Sequence, residues 1–138
     1  MVEKIVLNGR GVVGGVVEGE ALVVETHIHT SGVDSMKGLI REIGNPQDGE
    51  SIKGKVLVFH SPAGSSDWGA TLHRACRLGN GPIAIINPKV CTLVLTGAIA
   101  SSTPMVVDLD KDPVKVIETG DRVKVDADHG IVEVYKKG

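Results

Sequence analysis

The residues with the clearest chemical potential lie in one short stretch, Pro62-Ala-Gly-Ser-Ser-Asp-Trp68, which leaves the apolar run Lys55–Phe59 and enters an amphipathic segment. Gly64 lets a backbone approach a ligand closely, and Ser65, Ser66 and Asp67 stand where a strand hands over to a helix. Unpaired N–H groups and the helix dipole favour an anion at such a point, either a substrate carboxylate or a serine alkoxide. The same three residues also make an ordinary helix N-cap, so their types alone do not separate chemistry from capping. Arg10, between Gly9 and Gly11, is a further candidate, because a planar guanidinium grips a carboxylate through two donors. His27 and His29 share one face of an extended segment but lack a third ligand at matching spacing, so no metal site is assigned. His60 ends a strand, His73 lies on a helix and His129 occupies a turn, and the sequence gives none of them a partner. Cys76 and Cys91 are the only cysteines and form no C-x-x-C pair, too few thiolates for a zinc or iron–sulfur site in this chain alone.

These residues need a scaffold, and the chain supplies a strand-rich one. Its 138 residues suit a single domain spanning 1–138. Ile5–Leu7, Gly11–Val17 and Ala21–Glu25 read as Val-heavy strands arranged as a meander. From 26 to 54 the periodicity fades into Gly, Asp, Ser, Asn and Pro, the mark of a long functional or mobile loop. Lys55–Phe59 and Pro82–Ile86 are continuous apolar runs, as in strands covered on both faces. Between them Trp68–Leu78 places Trp68, Leu72, Ala75 and Cys76 on one side, which makes one main crossover helix ending at Gly79. A second short helix is expected over 89–96, a strand over 104–108, and two alternating strands around Asp128-His-Gly130 at the C-terminus. The fold class that follows is α/β, strand-rich, with the 55–59 and 82–86 strands central and the Ser65–Ser66 turn exposed at one end.

Composition removes several functions. A net charge of −2 with one Trp, one Tyr and one Phe leaves neither a basic stripe for phosphates nor a stacking platform, so nucleic acid is not an expected partner. The apolar runs are too short to cross a bilayer and Met-Val-Glu-Lys lacks a signal pattern, so the reading is soluble and cytoplasmic, with no membrane partner.

Taken in order, Gly9–Leu22 (GRGVVGGVVEGEAL), Ser31–Asp34 (SGVD), Ser51–Phe59 (SIKGKVLVF) leading into Gly64-Ser-Ser66, Gly97–Ala100 (GAIA) and Gly120–Asp126 (GDRVKVD) resemble the small swivel subunit of aconitase X over nearly the whole chain. The resemblance implies a swivelling β/β/α domain and a two-subunit hydro-lyase. It implies that Ser65 is the base of a dehydration and Ser66 a neighbouring anion contact, beside which Gly64 and Arg10 are the substrate contacts read from their residue types. It also implies no cofactor in this chain and an iron–sulfur cluster on a large partner subunit; the low thiol count and the long 26–54 loop beside the turn add the expectation that this partner docks on the face carrying both.

Departures bear on the substrate, a small hydroxy acid. Relatives carry Arg or Lys before the Gly-Ser-Ser or Gly-Ser-Thr turn, where this chain has Ala63. Ser31 replaces the first Gly of a Gly-Gly-Val-Asp motif, and Asp67 and Trp68 stand where small residues are usual. Loss of a cation favours the less charged of two family substrates, a hydroxyproline of the cis-3-hydroxy-L-proline type, over mevalonate 5-phosphate. Two other classes share this fold: a phosphohistidine carrier, for which the turn lacks a His, and a non-catalytic binding module.

Overall fold

Valine carries two heavy atoms on Cβ and favours extended backbone, and the Val-rich runs form strands throughout the chain. A computed structural model describes residues 3–25, 28–29, 33–41, 44–60, 62–63 and 68–137. In chain order the elements are β1 (Lys4–Asn8), β2 (Arg10–Val13), β3 (Val16–Val24), β4 (Ile28–His29), β5 (Val33–Asp34), β6 (Leu39–Ile40), β7 (Val56–Phe59) and β8 (Pro62–Ala63). They continue as α1 (Trp68–Arg77), β9 (Ala84–Ile86), α2 (Thr92–Ser101), β10 (Met105–Val107), α3 (Pro113–Val116), β11 (Arg122–Asp126) and β12 (Ile131–Tyr135).

The main sheet runs β1-β12-β11-β3-β7-β9-β10-β2. Its inner strands β3, β7, β9 and β10 are mutually parallel, and antiparallel partners flank them on both sides. β1 and β2 occupy opposite ends of this order, yet only Gly9 separates them in the chain. The sheet therefore curls until its two ends meet in one extended run. Glycine is required at this seam, because a Cβ on Gly11 would fall 1.7 Å from the Ala127 carbonyl oxygen.

Curling creates two cores. Leu7, Val23, Val58, Ile86, Val125 and Val134 pack between the facing halves of the sheet. Leu22, Leu57, Phe59, Ile85 and Met105 face the other way, against Trp68 and Leu72 of α1 and Val94 and Ala98 of α2. Strands β7 and β9 contribute to both cores, which is why their sequences are apolar without alternation. The layers are thus sheet, sheet and helix pair, the β/β/α arrangement expected, with β7 and β9 central.

Four expectations need correction. The N-terminal strands form no meander: β1 pairs with β12, β2 with β10, and β3 with β11 and β7. The expected 11–17 strand is cut at Gly14-Gly15, where Gly15 takes φ 131°, and Val16 and Val17 instead begin the nine-residue β3. The 26–54 stretch is not structureless, because β5 pairs with β6 and both Ile40 and Ile52 enter the helix-side core. Among the described residues the second helix is as long as the first, ten residues each, and covers Thr92–Ser101 in place of 89–96. Gly97 does not stop α2. It lies against Gly69 of α1, where a Cβ would meet the Gly69 Cα at 2.8 Å, so it is a helix contact.

Candidate functional site at the carboxyl end of the parallel strands

Because β3, β7, β9 and β10 are parallel, their last residues, Val24, Phe59, Ile86 and Val107, collect at one end of the sheet. In α/β sheets ligands bind outside the carboxyl ends of the strands, where the connecting loops and helix N-termini converge. Both α1 and α2 follow a parallel strand and start from this end, so the positive ends of two helix dipoles are directed toward it.

The chain leaves β7 at Phe59, passes through the two-residue β8 and enters α1 at Trp68. These two rings stack on each other, with centroids 5.2 Å apart and planes 13° from parallel, and both are buried. The single Phe and the single Trp therefore pin the two ends of the segment that carries the Gly-Ser-Ser motif, which accounts for aromatic residues being placed there in so aromatic-poor a chain. Gly64, Ser65 and Ser66 lie outside the described residues, as does His27. Just before them, β8 pairs in parallel with β4, placing Ile28 beside Pro62 and His29 beside Ala63.

Arg10 of β2 pairs with Val107 at the same end of the sheet, three strand spacings of roughly 4.8 Å from β7. Its guanidinium does grip a carboxylate, but one of its own chain. Nε and Nη2 donate to Asp108 Oδ2 at 3.1 and 2.8 Å. Asp108 follows β10 with φ 55°, a left-handed conformation that costs a non-glycine residue energy and is concentrated at functional sites.

Asn87, the residue after β9, is 1% exposed. Its Nδ2 donates to the carbonyls of Phe59 at 2.8 Å and Ile86 at 3.2 Å, while its Oδ1 is buried with no hydrogen-bond partner. Neither Asp108 nor Asn87 stood out in the sequence. Asn87-Pro88 reads as a plain turn dipeptide, and only strand order shows that its amide reaches the exit of β7.

A cavity of about 660 Å³ opens beside the end of β3, lined by Val23, Glu25, Lys115, Ile117, Glu118 and Lys137 among others. Its wall is braced by Asp121, which is fully buried and accepts from Lys136 Nζ at 2.6 Å and from the backbone N–H groups of Glu118 and Lys137. Burial works against the Asp121 carboxylate, but these donors outweigh it and hold its pKa below the ordinary value. Burial likewise disfavours charged Lys136, and its bonds to Asp121 and Glu118 outweigh that and hold its pKa above the ordinary value.

Comparison with known proteins shows the family. Residues 6–134 match the aconitase X swivel domain. The chain belongs to the aconitase X swivel-domain family. A relative from Thermococcus kodakarensis, the phosphomevalonate dehydratase small subunit, is 38% identical over 96% of this chain and 98% of its own length. The protein of the same name from Methanosarcina acetivorans is 38% identical over 96% of this chain and 92% of its own. The crystal structure of T. kodakaraensis aconitase X in its holo-form superposes with a TM-score of 0.89 at 38% identity, covering 96% of this chain and 99% of that one.

Among the described residues no group of three or more His, Cys, Asp or Glu is placed to hold a metal ion. Cys76 lies on α1, its Sγ 3.7 Å from Thr103 Oγ1, and Cys91 precedes α2. These residues do not fit an iron–sulfur cluster. His129, given no partner by the sequence, pairs through Nδ1 with both carboxylate oxygens of Asp126 at 3.1 and 3.0 Å, a contact local to the β11–β12 turn. No helix among the described residues is long and apolar enough to cross a membrane.

Proposed function

We propose that this chain is the small subunit of an aconitase X-type hydro-lyase that dehydrates mevalonate 5-phosphate in partnership with a large subunit. The observation that carries this reading is the 38% identity, over 96% of the chain, to the phosphomevalonate dehydratase small subunit of T. kodakarensis. It displaces the hydroxyproline preference drawn from Ala63. That preference weighed one missing side-chain cation, whereas the two helix N-termini directed toward this end favour an anion through the backbone. In this reading an iron–sulfur cluster is assigned to the large subunit, because Cys76 and Cys91 are the only two thiols of this chain.

Dehydration breaks a C–H and a neighbouring C–O bond, forms a carbon–carbon double bond and releases water. The chain's own part is to take the proton, and Ser65 Oγ is the proposed acceptor. Serine serves as a base only when its alkoxide is held by oriented donors in a water-poor site. Gly64 and Ser66 are the proposed neighbouring substrate contacts. Arg10 is a third, through Nη1, the guanidinium edge that Asp108 leaves open.

The test is to reconstitute the chain with its large subunit and assay mevalonate 5-phosphate and cis-3-hydroxy-L-proline side by side. The phosphorylated substrate should be dehydrated with the higher kcat/KM. Preferential turnover of the hydroxyproline would return the reading to the other branch of the family.

A further inference from the structure

Buried polar side chains in folded proteins are almost always paired, so an exception asks for a reason. Asn87 is such an exception, and it sits at the carboxyl end of the parallel strands. The two carbonyl acceptors fix its amide: Nδ2 must face Phe59 and Ile86, which turns Oδ1 away from both. Its backbone is held as well, the N–H donating to Val106 at 3.2 Å, so one residue ties the ends of β7, β9 and β10 together. An amide this firmly held gains nothing for the isolated chain by keeping an oxygen unpaired, because leaving a buried acceptor unsatisfied is costly.

We propose that Asn87 is a positioning residue of the active site: it pins the exit of β7, from which the chain runs toward Ser65, and reserves Oδ1 for a hydrogen-bond donor that arrives only in the working complex. This rests on the dehydratase reading above. The chemistry required of the newcomer is a single N–H or O–H donor, which either the large subunit or the hydroxyl of the substrate supplies. A carboxylate or a phosphate dianion is excluded from this atom, since both only accept.

Two measurements test it. In the reconstituted enzyme assayed with mevalonate 5-phosphate, Asn87→Ala should lower kcat about tenfold or more, the effect of losing a well-placed buried hydrogen bond, while KM moves by less than about threefold. A lowered melting temperature with kcat per folded complex unchanged would mean that Asn87 only braces the fold, and the proposal falls. Should Ser65→Ala keep its full rate while Asn87→Ala does not, the base assignment fails and the role of Asn87 at the β7 exit stands.

The second measurement uses the unsubstituted chain and so does not depend on a variant folding. With ¹⁵N-labelled asparagine, the Asn87 side-chain amide signals should shift on adding the large subunit alone if the partner supplies the donor. They should shift only on further addition of mevalonate 5-phosphate if the substrate does. No shift in either arm overturns the proposal.

Discussion

Ser65 carries the chemical reading, and substitution separates its two possible roles. In the assembled enzyme Ser65→Ala should lower kcat by at least roughly a hundredfold, the low end for a positioned general base. A lost cap should cost only about 1 kcal/mol of stability. Ser66→Ala should be milder in kcat. The opposite pattern, a lower melting temperature with unchanged kcat, would make Ser65 a cap and nothing more. Asp121 offers a residue-level test that does not touch catalysis. Its folded pKa is lowered, so its stabilisation is in place above the ordinary 3.8 and is lost as pH falls through the folded value. Lys136 is raised, so its share is in place below 10.5 and is lost as pH climbs through its folded value. Asp121→Asn should therefore destabilise the fold by roughly 3–5 kcal/mol near neutrality, the usual cost of removing one partner of a buried pair. The deficit relative to the unsubstituted chain should shrink below pH 3.8, read by denaturant titration across pH.

At the scale of elements, the α1–α2 contact decides how the N-terminus of α1 meets the end of the sheet. A Cβ at Gly97 would stand 2.8 Å from the Gly69 Cα and 2.9 Å from its carbonyl oxygen, both rigid backbone atoms. Gly97→Ala should therefore push the helices apart, against alanine's better helix propensity, at a net cost of about 1–3 kcal/mol. A rise in melting temperature would show that propensity wins and that the two backbones are not in tight contact. The Phe59–Trp68 stack works at the same scale, since the strand and the helix that flank the serine segment are clamped by two rings. Trp68→Leu keeps an apolar filler but removes the stack, so the assembled enzyme should lose more in kcat than in assembly affinity, measured by titrating the large subunit.

For the whole molecule, closure of the sheet between β1 and β2 is the feature on which every other position depends. Gly11→Ala sets a methyl group onto the Ala127 carbonyl, and no side-chain rotation relieves a clash between Cβ and backbone. The expected result is loss of the folded state near neutrality, seen as collapse of amide dispersion in solution NMR. The division of labour with a partner is also a property of the whole. The purified chain should be inactive toward mevalonate 5-phosphate until the large subunit is added, and turnover by the chain alone would refute the two-subunit reading.

The sequence alone determined whatever depends on local chemistry. Continuous apolar runs marked β7 and β9 as central, alternation marked the β11–β12 hairpin, and amphipathic spacing marked α1 to within a residue. The ordered motifs from Gly9 to Asp126 were enough to indicate the family. What it left undecided all depends on residues far apart in the chain. Gly97 gives no sign of a helix contact until Gly69 is seen against it. Gly14-Gly15 resembles a tolerated irregularity within one strand until the two halves are found to pair with different neighbours. Arg10 presents a free fork until Asp108 is brought across to fill it. Asn87 carries no signal until strand order sets its amide beside the Phe59 carbonyl. In each case the meaning of a residue is set by a partner that only the closure of the sheet and the packing of the helix pair bring within reach. A sequence pattern records its own period and caps, and carries no record of what will lie opposite.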